Sequence, residues 1–220
     1  MNDDSLINEI HSYGLNSKAG EIYLHGFFSN AEEEPGVDYR MATTFIKNLH
    51  IIQNIEPNKE VLIHMHTIGG NWQDGMAIYD SILLCPSHVT TVAYSTASSM
   101  SSVILQASDL RLAMPDTDFL IHFGSVFAEG NSLAVISAVD HEKKLNSRML
   151  DIYTDRCIRG KFFKQHYKSL TRDKVKSYIA KKLKNKVDWL LGAEEAVFYG
   201  FADGIIGEKG YENIQSIRPK

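Results

Sequence analysis

EVLIHMHTIGGNWQDGMAIYDSILL, residues 60–84, contains a complete strand, turn and helix in one stretch. Residues 60–66 are rich in apolar β-formers, two glycines follow at 69 and 70, and Met76, Tyr79, Ile82 and Leu83 then fall along one stripe of a helix over 72–84. The same pattern continues in both directions. Strand-type runs stand at 21–25, 88–94 and 118–123. Helical stripes stand at 37–53, through Val37, Met41, Phe45, Leu49 and Ile52, and at 97–107, through Ala97, Met100, Val103, Ile104 and Ala107. Strand and helix in alternation predict an α/β domain whose mainly parallel sheet is covered by helices.

Residues 1–20 carry little pattern and include Gly14 and Gly20, so they read as an arm ahead of a single domain spanning 21–207. After Gly130 the rhythm changes. Leu133, Ile136, Leu145, Met149 and Ile152 predict a helix of about twenty or more residues with no strand directly after it, long enough to pack against something beyond its own sheet. The Lys-rich stretch 172–184 wraps Val175, Tyr178, Ile179 and Leu183 and reads as a solvated helix face, since no aromatic stacking pattern for nucleic acid accompanies it. A short helix over 193–200 is stopped by Gly200, and a strand-like Ile205-Ile206 precedes a polar tail, 208–220.

Composition excludes several classes. The chain has 220 residues, 44% hydrophobic and 23% charged, which is the make-up of a folded protein rather than a disordered or fibrous one. A net charge of −4 gives no drive towards nucleic acid or an anionic membrane. Two cysteines, Cys85 and Cys157, are too few for a disulfide framework and lack metal-ligand spacing. The N-terminus lacks the pattern of a signal peptide and no apolar run approaches a membrane span, so a cytoplasmic protein is expected. His64 and His66 share one strand face, but two imidazoles without a third ligand read as structural. No metal and no cofactor are expected.

Four places can carry chemistry. Gly69-Gly70 lies between a strand and a helix, where positive φ and free N–H groups can form a cradle for an oxyanion, although a tight turn by itself explains the pair. Five serines crowd residues 95–102 at another strand-to-helix junction. Capping accounts for one or two of them, and a serine in a first helical turn also sits beside unpaired N–H groups. His122 ends an apolar strand, and Asp188 stands among apolar neighbours in Val187-Asp188-Trp189-Leu190. Taken singly, each has an ordinary structural explanation.

Their joint order is more specific. Gly69-Gly70 with Gly75-Met76-Ala77-Ile78-Tyr79-Asp80, Ala97-Ser98-Ser99-Met100, Met114-Pro115 with Ile121-His122, and Ala193-Glu194-Glu195-Ala196 with Tyr199-Gly200 together resemble the proteolytic subunit of the Clp protease. The likeness runs from about Glu21 to about Gly207. It implies the crotonase-like ββα superhelix with an extended helical handle. By the same resemblance Ser99 is the nucleophile, His122 the general base and Asp188 the orienting carboxylate, with the N–H groups of Gly70 and Met100 as the oxyanion hole. A polypeptide substrate would lie as an added strand between Asn71 and Trp72 on one side and Phe123 and Gly124 on the other. The family further implies heptameric rings, stacked in pairs through the handle, and an AAA+ unfoldase partner.

The chain departs from the family pattern at several points. Thr67-Ile68 precede the glycines in place of Ser-Pro, Ser95 and Ser101 replace glycines, Phe123-Gly124 replace Gln-Pro, and Leu62 and His64 replace aromatic residues of the docking pockets. The interval from His122 to Asp188 is longer than the family's by about a helix, which the Lys-rich segment supplies. Two other classes therefore stay open at this point: a structural or regulatory ring component with little activity, and an acyl-CoA enzyme of the wider superfold.

Overall fold

The computed structural model describes residues 3–26 and 34–219. Five strands run parallel in the order β2 (Glu21–His25), β3 (Val61–Thr67), β4 (Val89–Ser98), β5 (Leu110–Ala113) and β8 (Gly204–Ile205). The first half of β4 pairs with β5, from Thr90 to Ala93. Its second half, Thr96 to Ser98, pairs instead with β6 (Asp118–His122), and β6 in turn pairs antiparallel with β7 (Asp188–Leu191). The strand changes neighbours around Ser95, which sits at φ +60.

Helices cover the sheet because their stripes demand it. On α2 (Tyr39–Ile55), Met41, Phe45, Leu49 and Ile52 are buried, and Asp38 caps its first turn by accepting from the N–H groups of Arg40 and Met41. On α3 (Trp72–Leu83), Gly75 lets the helix lie against Met100, whose side chain would collide with any Cβ there. The long helix expected after Gly130 is α5 (Ser132–Cys157), 26 residues. Its second half is buried through Met149, Leu150, Ile152 and Tyr153, whereas Leu133 and Ile136 in its first half are exposed.

A short α6 (Lys161–His166) leads to the Lys-rich segment, which forms α7 (Arg172–Lys186) with Val175, Ile179 and Leu183 inward. Arg172 and Lys176 bind Asp151 of α5, at 2.7 and 2.9 Å, and Lys182 lies over the rings of Tyr178 and Trp189. The segment is thus a brace against α5 and β7. After β7, α8 (Ala193–Tyr199) ends at Gly200, in the left-handed region at φ +90, where any Cβ would press on Gly160. Among the described residues no helix is long and apolar enough to cross a membrane.

Three expectations are corrected. Residues 97–107 do not form one helix: ladder pairing with β6 holds Ala97 and Ser98 extended, and α4 is confined to Met100–Leu105. Residues 1–20 are not merely an arm, since α1 (Asp3–Tyr13) leads into β1 (Leu15–Asn16), which pairs antiparallel with β2 and buries Leu15 in the core. The tail after 207 also folds back. Tyr211, Ile214 and Ile217 pack on Leu62, Val92 and Leu112, and Arg218 reaches the buried Glu21 carboxylate at 2.6 Å.

One buried charge ties the last crossing to the sheet. Arg111 of β5 is 4% exposed and donates to both Asp203 carboxylate oxygens, to Gln106 and to the Gly200 carbonyl. Removing its anion strands a buried cation, so Asp203→Ala is expected to lower unfolding stability by about 3 kcal/mol in chemical denaturation.

Candidate active site

The strand ladders bring Ser99, His122 and Asp188 together. Ser98 is paired with Leu120, and the Ser99 N–H donates to the Leu120 carbonyl at 2.8 Å, which fixes the serine at the mouth of the β4–β6 ladder. His122 lies two residues beyond Leu120 on the same strand face. Across the antiparallel pair His122 is directly opposite Asp188, so their side chains emerge on one face. The result is His122 Nε2 at 2.8 Å from Ser99 Oγ and His122 Nδ1 at 3.2 Å from Asp188 Oδ1. The imidazole is less exposed than the Asp188 carboxylate, whose side chain is 52% accessible, so water screens the pair and its chief effect is to orient the ring.

Ser99 stands at φ +52, ψ −125, between the end of β4 and the first residue of α4. A serine held there costs about 1–3 kcal/mol of backbone strain. Ser95, where β4 changes neighbours, and Val187, the residue before Asp188, are the other non-glycine residues with positive φ among those described. All three lie on the backbone that delivers the site. The position at which the resemblance expects a glycine, Ser95, thus keeps a glycine-like conformation.

Gly69 and Gly70 sit against the same turn. A Cβ on Gly69 would come within 2.5 Å of the Ser98 carbonyl and 2.8 Å of the Met100 nitrogen, and one on Gly70 within 2.5 Å of the Val37 backbone. Val37 donates its N–H to the Gly69 carbonyl and accepts the Asn71 N–H on its own carbonyl. The Gly70 N–H between them has no backbone partner among the described residues, and neither has the Met100 N–H at the start of α4. Gly70 and Met100 both line the cleft that contains Ser99 and His122.

That cleft has a volume of about 400 Å³. Asn71 and Trp72 form one wall and Gly124 with Ser125 and Val126 another, while Glu142, Leu145, Asn146 and Met149 of α5 close it from above. Two expected substrate contacts differ in detail. Asn71 caps α3 through its side chain and Trp72 begins that helix, so the strand edge after the glycines is short. Phe123 is partly buried against the core. The Gly124 N–H is already given to Asn146 at 2.9 Å, so this group is not free for an incoming strand in the described state. The α5 contribution carries no motif of its own in the sequence, although Glu142, Leu145, Asn146 and Met149 follow helical spacing on one face.

Behind Ser99 lies a buried polar relay. The Ser102 hydroxyl donates to the Ser99 carbonyl at 2.6 Å and is 2.7 Å from the hydroxyl of Tyr153 on α5. Burial pushes the Tyr153 phenol well above its ordinary pKa, which keeps it a donor to Ser102. Gln106 donates to the Ser102 carbonyl and accepts from Arg111, so the strained serine is braced through to β5.

Comparison with known proteins matches this chain, over residues 33–209, to the Clp protease family. The ATP-dependent Clp protease proteolytic subunit of Deinococcus radiodurans is 27% identical over 174 residues, covering 78% of this chain and 77% of that protein. The protein of the same description from Streptococcus suis is also 27% identical over 174 residues, covering 77% of this chain and 80% of its own length.

Removing the Ser102 hydroxyl leaves the buried Tyr153 phenol without its acceptor and the Ser99 carbonyl with the Ser102 N–H alone, at 3.1 Å. Ser102→Ala is expected to cost about 1–3 kcal/mol of stability. In a double-mutant cycle with Tyr153→Phe the two losses should fall short of additivity by about 1 kcal/mol, and full additivity would show that the hydroxyls do not couple.

Proposed function

The chain belongs to the Clp protease family, and on that premise we propose that it is a serine endopeptidase that cleaves unfolded polypeptides or short peptides. The observation that carries the proposal is the continuous contact from Ser99 Oγ to His122 Nε2 and from His122 Nδ1 to Asp188. With Nδ1–H donated to Asp188, Nε2 is left to accept the Ser99 proton as Oγ attacks the scissile carbonyl. The carbonyl oxygen, now an anion, is received by the unpaired N–H groups of Gly70 and Met100. His122 then passes its proton to the leaving amine, and the C–N bond breaks. Water, deprotonated by His122, attacks the Ser99 ester, and the acid product leaves as Ser99 regains its proton. Asp188 steadies the imidazolium in both halves.

The arrangement favours this reading over the alternatives. A structural ring component has no use for a serine held in a strained turn against an imidazole, and the crotonase-type acyl-CoA reading leaves the Ser99–His122–Asp188 chain without a role. Assembly follows from α5: its exposed Leu133, Ile136 and Val139 favour packing on further copies of the chain, in the paired heptameric rings that the family suggests. An ATPase partner would have to engage a sheet face already covered at Leu62 by the chain's own tail, and His64 is engaged with Tyr94 and stacked on Tyr23.

Ser99→Ala tests the proposal. Labelling by a fluorophosphonate and hydrolysis of fluorogenic peptides are expected to fall about 10³-fold or more, with the fold retained by circular dichroism. Labelling that persists in the variant would remove Ser99 from the reaction.

A further inference from the structure

We infer that Glu142 selects substrates carrying a lysine or arginine beside the scissile bond, an inference that rests on the reading of Ser99, His122 and Asp188 as the hydrolytic centre. Glu142 lies on the face of α5 that closes the cleft, and its carboxylate lies against Gly124, two residues after His122, where an added Cβ would fall 2.3 Å from its oxygen. Among the described residues it is the one acidic residue in the cleft lining, and they contribute no lysine or arginine there.

The carboxylate also lacks a protein partner. Among the described residues it makes no ion pair and no hydrogen bond, although it is only partly exposed. Of the cations near it on α5, Lys143 is turned to Asp140 at 2.9 Å and Arg148 to Asp80 at 3.6 Å, while Lys144, two residues on, does not share the helix face of Glu142. His141, its neighbour in sequence, also lines the cleft, and its imidazole is not bonded to Glu142. A half-buried anion without a cation favours a positive group brought by a ligand.

The rest of the pocket fits the same kind of side chain. Val103, Leu145 and Met149 give an apolar surface for a methylene stem, with Glu142 at its rim to meet the charged tip. Lysine and arginine have that form. An acidic side chain would set two carboxylates together, and a leucine would leave Glu142 desolvated without compensation.

The test is a positional-scanning library of fluorogenic peptides, varied on both sides of the cleaved bond, with wild-type protein, Glu142→Gln and Glu142→Lys. At one position wild type is expected to prefer lysine or arginine over leucine about tenfold in kcat/KM, and over glutamate by more. That ratio should collapse to about one in Glu142→Gln and turn towards glutamate in Glu142→Lys. A preference for leucine in wild type, or a cationic preference unchanged in Glu142→Gln, would overturn the inference. Binding of fluorescent lysine, leucine and glutamate peptides to Ser99→Ala, alone and combined with Glu142→Gln, separates the two readings. Should no peptide be cleaved and Ser99 resist fluorophosphonate, the hydrolytic reading fails, and the binding ratio alone then sustains or sinks the role of Glu142. If cleavage and labelling proceed without cationic preference, only the inference about Glu142 falls.

Discussion

The structure depends on the point at which β4 leaves one neighbour for another. Up to Ala93 it is laddered to β5, and from Thr96 it is laddered to β6, with Ser95 at φ +60 between the two pairings. A parallel strand that changes neighbours opens a crevice at its carboxyl end, the place where α/β sheets keep their chemistry. Here β3 delivers Gly69 and Gly70, β4 delivers Ser99 and β6 delivers His122, all from carboxyl ends. The antiparallel β7 adds Asp188 in register with the histidine. If β4 stayed with β5 to its end, Ser98 would not pair with Leu120 and the Ser99 N–H would lose its partner.

The strain along this backbone is offset by bonds behind it rather than by the cleft. Ser99 is held by its N–H to Leu120 and by Ser102 on its carbonyl, and Ser102 is held by Tyr153. Val187, before Asp188, is exposed and β-branched at φ +56, a conformation that little besides the chain's path from α7 into β7 explains. The Lys-rich α7 therefore has a structural use. Its ion pairs to Asp151 and its buried Val175, Ile179 and Leu183 set where the turn into β7 begins.

What the sequence made legible, and what it did not, follows from the range of each interaction. The stripes of α2 and α3 and the strands at 21–25 and 60–66 announce themselves because their burial is periodic over many residues. The glycines at 69 and 70 were legible as a turn because their φ values and close neighbours exclude any side chain. By contrast β1, β5 and β7 have two to four residues, too short for a period to register, and owe their existence to partners distant in the chain. The extended state of Ala97 and Ser98 is of the same kind: helix-compatible residues held straight by a ladder to β6. Residues 208–219 look polar on average, yet Tyr211, Ile214 and Ile217 are enough to bind them to the sheet.

The role of α5 joins the remaining observations. Its exposed apolar start reaches away from the domain, its middle closes the cleft with Glu142, Leu145 and Asn146, and its buried end supplies Tyr153 to the serine that braces Ser99. These contacts lie on one continuous helix, which carries both the Asn146 bond on Gly124 and the Tyr153 bond on Ser102. Gly124 is the instructive position. Its N–H is held by Asn146, and on the proposed function an incoming peptide strand would need that group free to pair along its backbone. A lengthening of about an ångström would break so short-ranged a bond, because hydrogen bonds weaken steeply beyond their ordinary length. The exposed end of α5 is thus joined by one continuous helix to the edge on which the proposed substrate would align.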